Sequence, residues 1–242
     1  NGAGPGALVG ISCERSIEMV VAVLATLKSG SAYVPIDPNY PPERVSYMLE
    51  DSRAPVLLTQ SRLVDQLPAS GAAVICVDNF DWSAGDDSNP DRKGESVYAI
   101  YTSGSTGKSK GAWSDHRGVV HGVMNYIAQS AMAKVHVESQ GEVLTDQPCA
   151  LVAVPLFHVT GLVPVMLASF ASGVKLVMMY KWNPERALEL IERERITSFT
   201  APAAMTGDLV RVAQSTARDL GSLLTVGGGG APRAPEQVRQ IG

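Results

Sequence analysis

Thr102-Ser-Gly-Ser-Thr-Gly-Lys-Ser-Lys-Gly111 gathers three glycines, five hydroxyl side chains and two lysines into ten residues. Glycines let a backbone approach a polyanion and let successive N–H groups converge on it. Hydroxyls donate to phosphate oxygens, and lysines neutralise charge. An apolar, β-prone run, Val97–Tyr101, feeds directly into the loop. That combination suits a loop holding the phosphates of a nucleotide; a solvated Ser/Gly turn is the plainer alternative. The nearest rival motif is the Walker A loop, G-x-x-x-x-G-K-[ST]. Gly107-Lys108-Ser109 fits its tail, but Thr102 stands where its first glycine belongs. Gly111-Ala112-Trp113-Ser114 also reads as extended, where the rival needs a helix starting at the lysine.

Other chemistries find less support. The cysteines, Cys13, Cys76 and Cys149, are odd in number and widely spaced, which argues against a disulfide framework or zinc ribbon and for a reducing, cytoplasmic setting. His116, His121, His136 and His158 form no H-E-x-x-H motif and no i, i+4 pair, so no metal site is expected. The net charge of −4 and 6% aromatic content speak against nucleic-acid binding. The most apolar stretch, Gly161–Met179, is broken by Pro164, Gly173 and Lys175, and reads as two buried elements and a turn, not a membrane span.

The elements that must position the loop alternate between extended and helical patterns. Strands are expected at Ala7–Ile11, Ala32–Ile36, Pro55–Thr59, Ala73–Val77, Val97–Tyr101, Ala150–Val154, Val174–Met178, Ile196–Thr200 and Leu223–Val226. Pro55–Thr59 and Ala73–Val77 read as fully buried. Helices are expected at Glu14–Lys28, with Ile17, Val20, Val21, Leu24 and Leu27 on its apolar stripe, and from Pro42 to Glu50, burying Val45, Met48 and Leu49. A third, His116–Ala128, carries Val119, Val120, Val123, Met124 and Ile127. A fourth starts at Asn183-Pro184 and buries Ala187, Leu188 and Ile191; another lies near Pro202–Ala213. Strands apolar on both faces and alternating with helices indicate an α/β fold with mainly parallel sheets. The polar stretch 134–147 divides the chain into a first α/β subdomain, 1–140, with the loop near its end, and a second, 141–242.

The loop, with Tyr101 before it, resembles the AMP-binding signature of adenylate-forming enzymes: acyl- and aryl-CoA synthetases, peptide synthetase adenylation domains and luciferases. Three further blocks carry the resemblance in the same order. Leu27-Lys-Ser-Gly-Ser-Ala-Tyr-Val-Pro-Ile-Asp-Pro38 is similar to the block preceding the signature in adenylation domains. Pro155-Leu-Phe-His-Val-Thr-Gly161 is similar to a block of acyl-CoA synthetases, and Gly228-Gly-Gly-Ala-Pro232 to the adenine-side loop. Ser109 departs from the pattern, which usually has Pro there. The resemblance implies a layered αβαβα large domain. It places Thr102, Ser103, Ser105, Thr106 and Lys110 on the β- and γ-phosphates, with Gly104, Gly107 and Gly111 shaping the loop. It places Gly229, Gly230 and Ala231 against adenine, and His158 near the α-phosphate as a catalytic residue. Read by itself, His158 fits a packed core histidine better.

The implied reaction is attack of a carboxylate on the α-phosphate of Mg·ATP, giving an acyl adenylate and pyrophosphate. Transfer then follows to the thiol of coenzyme A or of phosphopantetheine on a carrier protein. The Tyr-Gly-x-Thr-Glu block, ribose-binding Asp and terminal small domain with its catalytic Lys have no match here. The piece alone is therefore expected to be inactive, and no Mg2+ ligand is assigned. Adenylation domains hold a substrate α-amino group with an Asp in a Phe-Asp-x-Ser context after the signature. Phe80-Asp81-Trp82-Ser83 precedes it, and Pro155–Gly161 has no acid, so a fatty or aryl acid is expected before an amino acid. A nucleotide-binding piece without activity and a P-loop NTPase are the remaining alternatives.

Overall fold

The computed structural model describes residues 1–81, 83, 88–91, 93–102, 109–139, 141 and 147–228. The chain forms two compact units, Asn1–Val120 and His121–Gly242.

In the first unit the elements run β1 (Leu8–Ser12), α1 (Ile17–Lys28), β2 (Ala32–Pro35), α2 (Pro42–Ser52), β3 (Val56–Thr59), β4 (Ala73–Cys76), β5 (Ser96–Thr102) and β6 (Lys110–Asp115). The strands lie in the order β4-β3-β1-β2-β5-β6. Among the described residues every pairing in this sheet is parallel except β5 with β6. Val9, Ile11, Val34 and Leu57 are almost fully buried, which is why these strands read as continuous apolar runs.

Two expectations are corrected here. Ala73–Val77 is not fully buried: among the described residues β4 has only β3 beside it, at the sheet edge, and Ala73 and Val74 are exposed. Helix α1 starts at Ile17 because the Ser16 hydroxyl accepts from the Met19 N–H at 3.4 Å. It buries Met19, Ala22, Val23 and Thr26, and Ile17 is 70% exposed. Ile-Glu-Met-Val-Val-Ala-Val-Leu is apolar nearly all round, so its sequence does not single out one face.

Helix α2 begins at Pro42, whose missing N–H costs nothing in the first turn, and ends at Arg53 in the left-handed region (φ +50°). Val45, Met48 and Leu49 pack with Val34, Ile36, Leu57 and Ala99, as the spacing predicts. Ahead of β5, Gly94 lies against the backbone of Gly30. A Cβ at position 94 would stand 2.1 Å from the Gly30 carbonyl oxygen.

Helix α3 (His116–Ser139) is capped by Asp115, whose Oδ1 accepts from the Gly118 N–H at 2.6 Å. It runs past the expected Ala128 because Gln129–Ser139 contains no Gly or Pro to stop it. Of its expected stripe only Val119 is buried; Val120 and Met124 are exposed.

In the second unit follow β7 (Cys149–Val152), α4 (Ala168–Ser172), β8 (Lys175–Met178), α5 (Pro184–Glu194), β9 (Ser198–Ala201), α6 (Ala203–Ala213) and β10 (Thr225–Gly228). The sheet order is β10-β9-β7-β8, all parallel. Asn183 caps α5 by accepting from the Arg186 N–H at 2.7 Å, with Pro184 in the first turn. Its apolar face, Ala187, Leu188 and Ile191, joins Leu151, Phe199 and Ala201 in the core. Thr197 ties β9 to β7: its Oγ1 accepts from the Cys149 N–H at 2.9 Å. No helix among the described residues is long and apolar enough to cross a membrane.

Candidate active site

The signature loop is the connection of an antiparallel hairpin. β5 and β6 pair through Ser96↔Asp115, Tyr98↔Ser114, Ala99↔Trp113, Ile100↔Ala112, Tyr101↔Gly111 and Thr102↔Lys110. Thr102 and Lys110 are therefore directly opposite at the neck, where cross-strand side chains share a face. Both are exposed, and Lys110 has no carboxylate partner among the described residues. A hydroxyl donor and a cation stand side by side with solvent access, which suits a phosphate oxygen. Ser103, Gly104, Ser105, Thr106 and Gly107 lie outside the described residues, as do Gly229, Gly230 and Ala231 at the end of the chain.

The strand at Lys110–Asp115 disposes of the Walker A alternative. A P-loop continues from its lysine into a helix, whereas here six extended residues precede the first helical residue, His116.

Helix α2 supplies contacts that the sequence does not announce. The Tyr47 hydroxyl donates to the Ser109 carbonyl at 3.0 Å. The Tyr101 hydroxyl donates to Asp51 Oδ2 at 2.6 Å. The two rings meet edge to face, centroids 6.2 Å apart at 84°. Burial, reinforced by the hydrogen bond to Asp51, raises the Tyr101 pKa above the ordinary tyrosine range, so its hydroxyl stays a donor. These partners are 62 and 50 residues apart, and no local pattern marks such pairs.

In the second unit, β7 leads into the turn carrying His158. The His158 N–H donates to the Pro155 carbonyl at 3.2 Å, and the Leu162 N–H to the His158 carbonyl at 3.0 Å. Gly161 closes the turn: a Cβ there would lie 2.3 Å from the Pro155 oxygen. A wide helical turn, Gly161–Leu167, with Pro164 inside it, then runs into α4. His158 is exposed, its ring 5.1 Å from that of Phe157 and tilted by 51°. The packed-core reading of this histidine is thereby excluded. From Gln147 to Pro184 the chain contains no Asp or Glu. Asp81, the acid of the earlier Phe-Asp-x-Ser match, is exposed and holds the Ser83 N–H at 3.0 Å.

The AMP-binding enzyme family matches residues 1–241. The chain belongs to that family. A linear gramicidin synthase of Brevibacillus parabrevis is 37% identical over 238 residues. These are 96% of this chain and 3% of the relative. Tyrocidine synthase 3 of the same organism is 50% identical over 122 residues, 49% of this chain and 2% of the relative. The chain thus spans a small fraction of the curated relatives it matches. Among solved structures, the nonribosomal peptide synthetase FmoA3 in its AMPPNP-bound form is 28% identical with a TM-score of 0.83. The match covers 99% of this chain and 25% of that one. The N-terminal domain of FACL13 from Mycobacterium tuberculosis has a TM-score of 0.79 at 22% identity over 99% of this chain and 61% of that one, a likeness of fold. The α/β fold with mainly parallel sheets is therefore that of adenylate-forming enzymes.

Proposed function

We propose that the chain contributes the phosphate-binding part of an acid–thiol ligase, an enzyme that activates a carboxylic acid as its acyl adenylate. The observation that carries this reading is the hairpin neck, where Thr102 and Lys110 face each other, open to solvent, at the ends of the signature loop. In the proposed reaction the carboxylate oxygen attacks the α-phosphate of ATP and the bond to the β-phosphate breaks. Pyrophosphate departs carrying the negative charge of the leaving oxygen. Thr102, Ser103, Ser105, Thr106 and Lys110 hold the β- and γ-phosphates, so they stabilise charge that builds on the leaving group. Mg2+, arriving with the nucleotide, spreads phosphate charge. Among the described residues no three His, Cys, Asp or Glu side chains converge, and no ligand is assigned to it. His158, exposed on its turn, is proposed to act near the α-phosphate, and Gly229, Gly230 and Ala231 against adenine. Transfer of the acyl group to coenzyme A or carrier-bound phosphopantetheine completes the cycle.

The substrate proposed is a fatty or aryl acid. An α-ammonium beside Pro155–Gly161 finds no carboxylate to pair with anywhere between Gln147 and Pro184. An amino acid is the second reading, favoured by the 37% identity to a linear gramicidin synthase over nearly the whole chain. A pyrophosphate-exchange panel on the full-length protein separates them. Exchange with fatty or aryl acids and not with amino acids is expected; strong exchange with a proteinogenic amino acid alone overturns the first reading.

A further inference from the structure

Tyr47 and Asp51 stand four residues apart on α2, so they share one face of the helix. Their partners are the two feet of the hairpin. Tyr101 immediately precedes Thr102, and Ser109 immediately precedes Lys110. Each foot therefore shares one hydrogen bond with the same helix, Tyr47 Oη to the Ser109 carbonyl at 3.0 Å and Tyr101 Oη to Asp51 Oδ2 at 2.6 Å. The aromatic rings of Tyr47 and Tyr101 meet edge to face. Val45, Met48 and Leu49 hold α2 in the same apolar cluster that contains Tyr101, and Tyr47 packs against it.

We propose that Tyr47 and Asp51 are positioning residues that set the spacing of the loop's two feet, and through it the juxtaposition of Thr102 and Lys110 for phosphate. The Tyr47 bond matters most on the Ser109 side. That position lacks the ring that fixes φ in a proline, so the chain there is restrained from outside. The inference rests on the reading of 102–111 as the phosphate site.

The test is steady-state pyrophosphate exchange by the full-length protein carrying Tyr47→Phe, Asp51→Ala, Asp51→Asn or Lys110→Ala, with thermal melting alongside. Tyr47→Phe and Asp51→Ala each remove one hydrogen bond and are expected to raise KM for Mg·ATP about 3- to 10-fold. The KM for the carboxylic acid stays near wild type, and the melting temperature falls by no more than about 5 °C. Asp51→Asn keeps an acceptor for Tyr101 and is expected to restore wild-type KM. If Lys110→Ala raises KM for ATP while Tyr47→Phe and Asp51→Ala do not, the positioning role is overturned and the phosphate site stands. If Lys110→Ala also leaves that KM unchanged, the phosphate-site reading fails and the positioning role with it. Equal losses for Asp51→Ala and Asp51→Asn, or a fall in kcat and melting temperature with KM unchanged, also overturn it.

Discussion

Replacing Gly161 by Ala adds a single methyl at a place where the structure has no room for it. The new Cβ would lie 2.3 Å from the Pro155 oxygen, 3.0 Å from the Pro155 carbonyl carbon and 3.2 Å from Leu156 Cα. An unstrained carbon–oxygen contact needs about 3.4 Å, so the turn must open by about 1 Å. The obstacles are backbone atoms and cannot rotate away. Overpacking of this kind costs about 1–3 kcal/mol, and a backbone obstacle places this case at the upper end. A fall in melting temperature of roughly 8–12 °C follows for a unit of this size. The same opening displaces His158, which the turn carries. Misplacement by about 1 Å at a reacting centre can cost on the order of 100-fold in rate. Pyrophosphate exchange by the full-length protein is therefore expected to drop at least about tenfold beyond any loss of folded protein. Gly71→Ala is the control: a Cβ at Gly71 meets nothing within 4 Å, and its melting temperature should stay at the wild-type value. A Gly161→Ala protein that melts and turns over like wild type would refute the steric argument. One that melts lower but keeps its exchange rate would detach His158 from the chemistry.

Lys110→Ala should weaken Mg·ATP binding by roughly 1–3 kcal/mol, as for a lost charge-assisted contact; isothermal titration measures it, and equal affinities would remove Lys110 from the site. Asn183→Ala deletes the acceptor for the Arg186 N–H and should destabilise the second unit by about 1 kcal/mol in urea unfolding. Burial pushes the Cys13 thiol up to about 12, with Asp78 and Glu18 adding to it. Between pH 9 and 12 the folded state then holds a proton that the unfolded state releases, so stability falls as pH rises. Cys13→Ala should flatten that fall in denaturation curves recorded at about pH 8 and about pH 10. An unchanged slope would show that Cys13 does not contribute to it.

What the sequence revealed depended on how local the deciding contact is. Asn183-Pro184 announces α5 because a cap and an N-terminal proline act within one turn. Gly111–Ser114 reads as extended and is β6. Ala73–Val77 misleads because an apolar run shows that a strand can be buried, while its place at the sheet edge is a property of the neighbours. The stripe of α1 misleads for a related reason: a helix apolar on most sides contains no internal reference for its rotation. The donors of the signature loop are enough to propose a phosphate holder from sequence. The hydroxyls that hold its feet could not be read there, since a tyrosine on α2 reads the same whether it faces water or a carbonyl 62 residues away.

The approach of Gly94 to Gly30 bears on how substitution data for this protein should be weighed. With only 2.1 Å between a Cβ at 94 and the opposing oxygen, every side chain is refused, whatever its polarity or size. Saturation mutagenesis scored by enzyme output would rank position 94 among the least tolerant in the chain, beside the signature loop. The two kinds of intolerance separate once abundance of folded protein is scored as well. Losses at Gly94 follow abundance, whereas losses at Lys110 leave abundance intact. A ranking by activity alone would assign a catalytic role to a spacer.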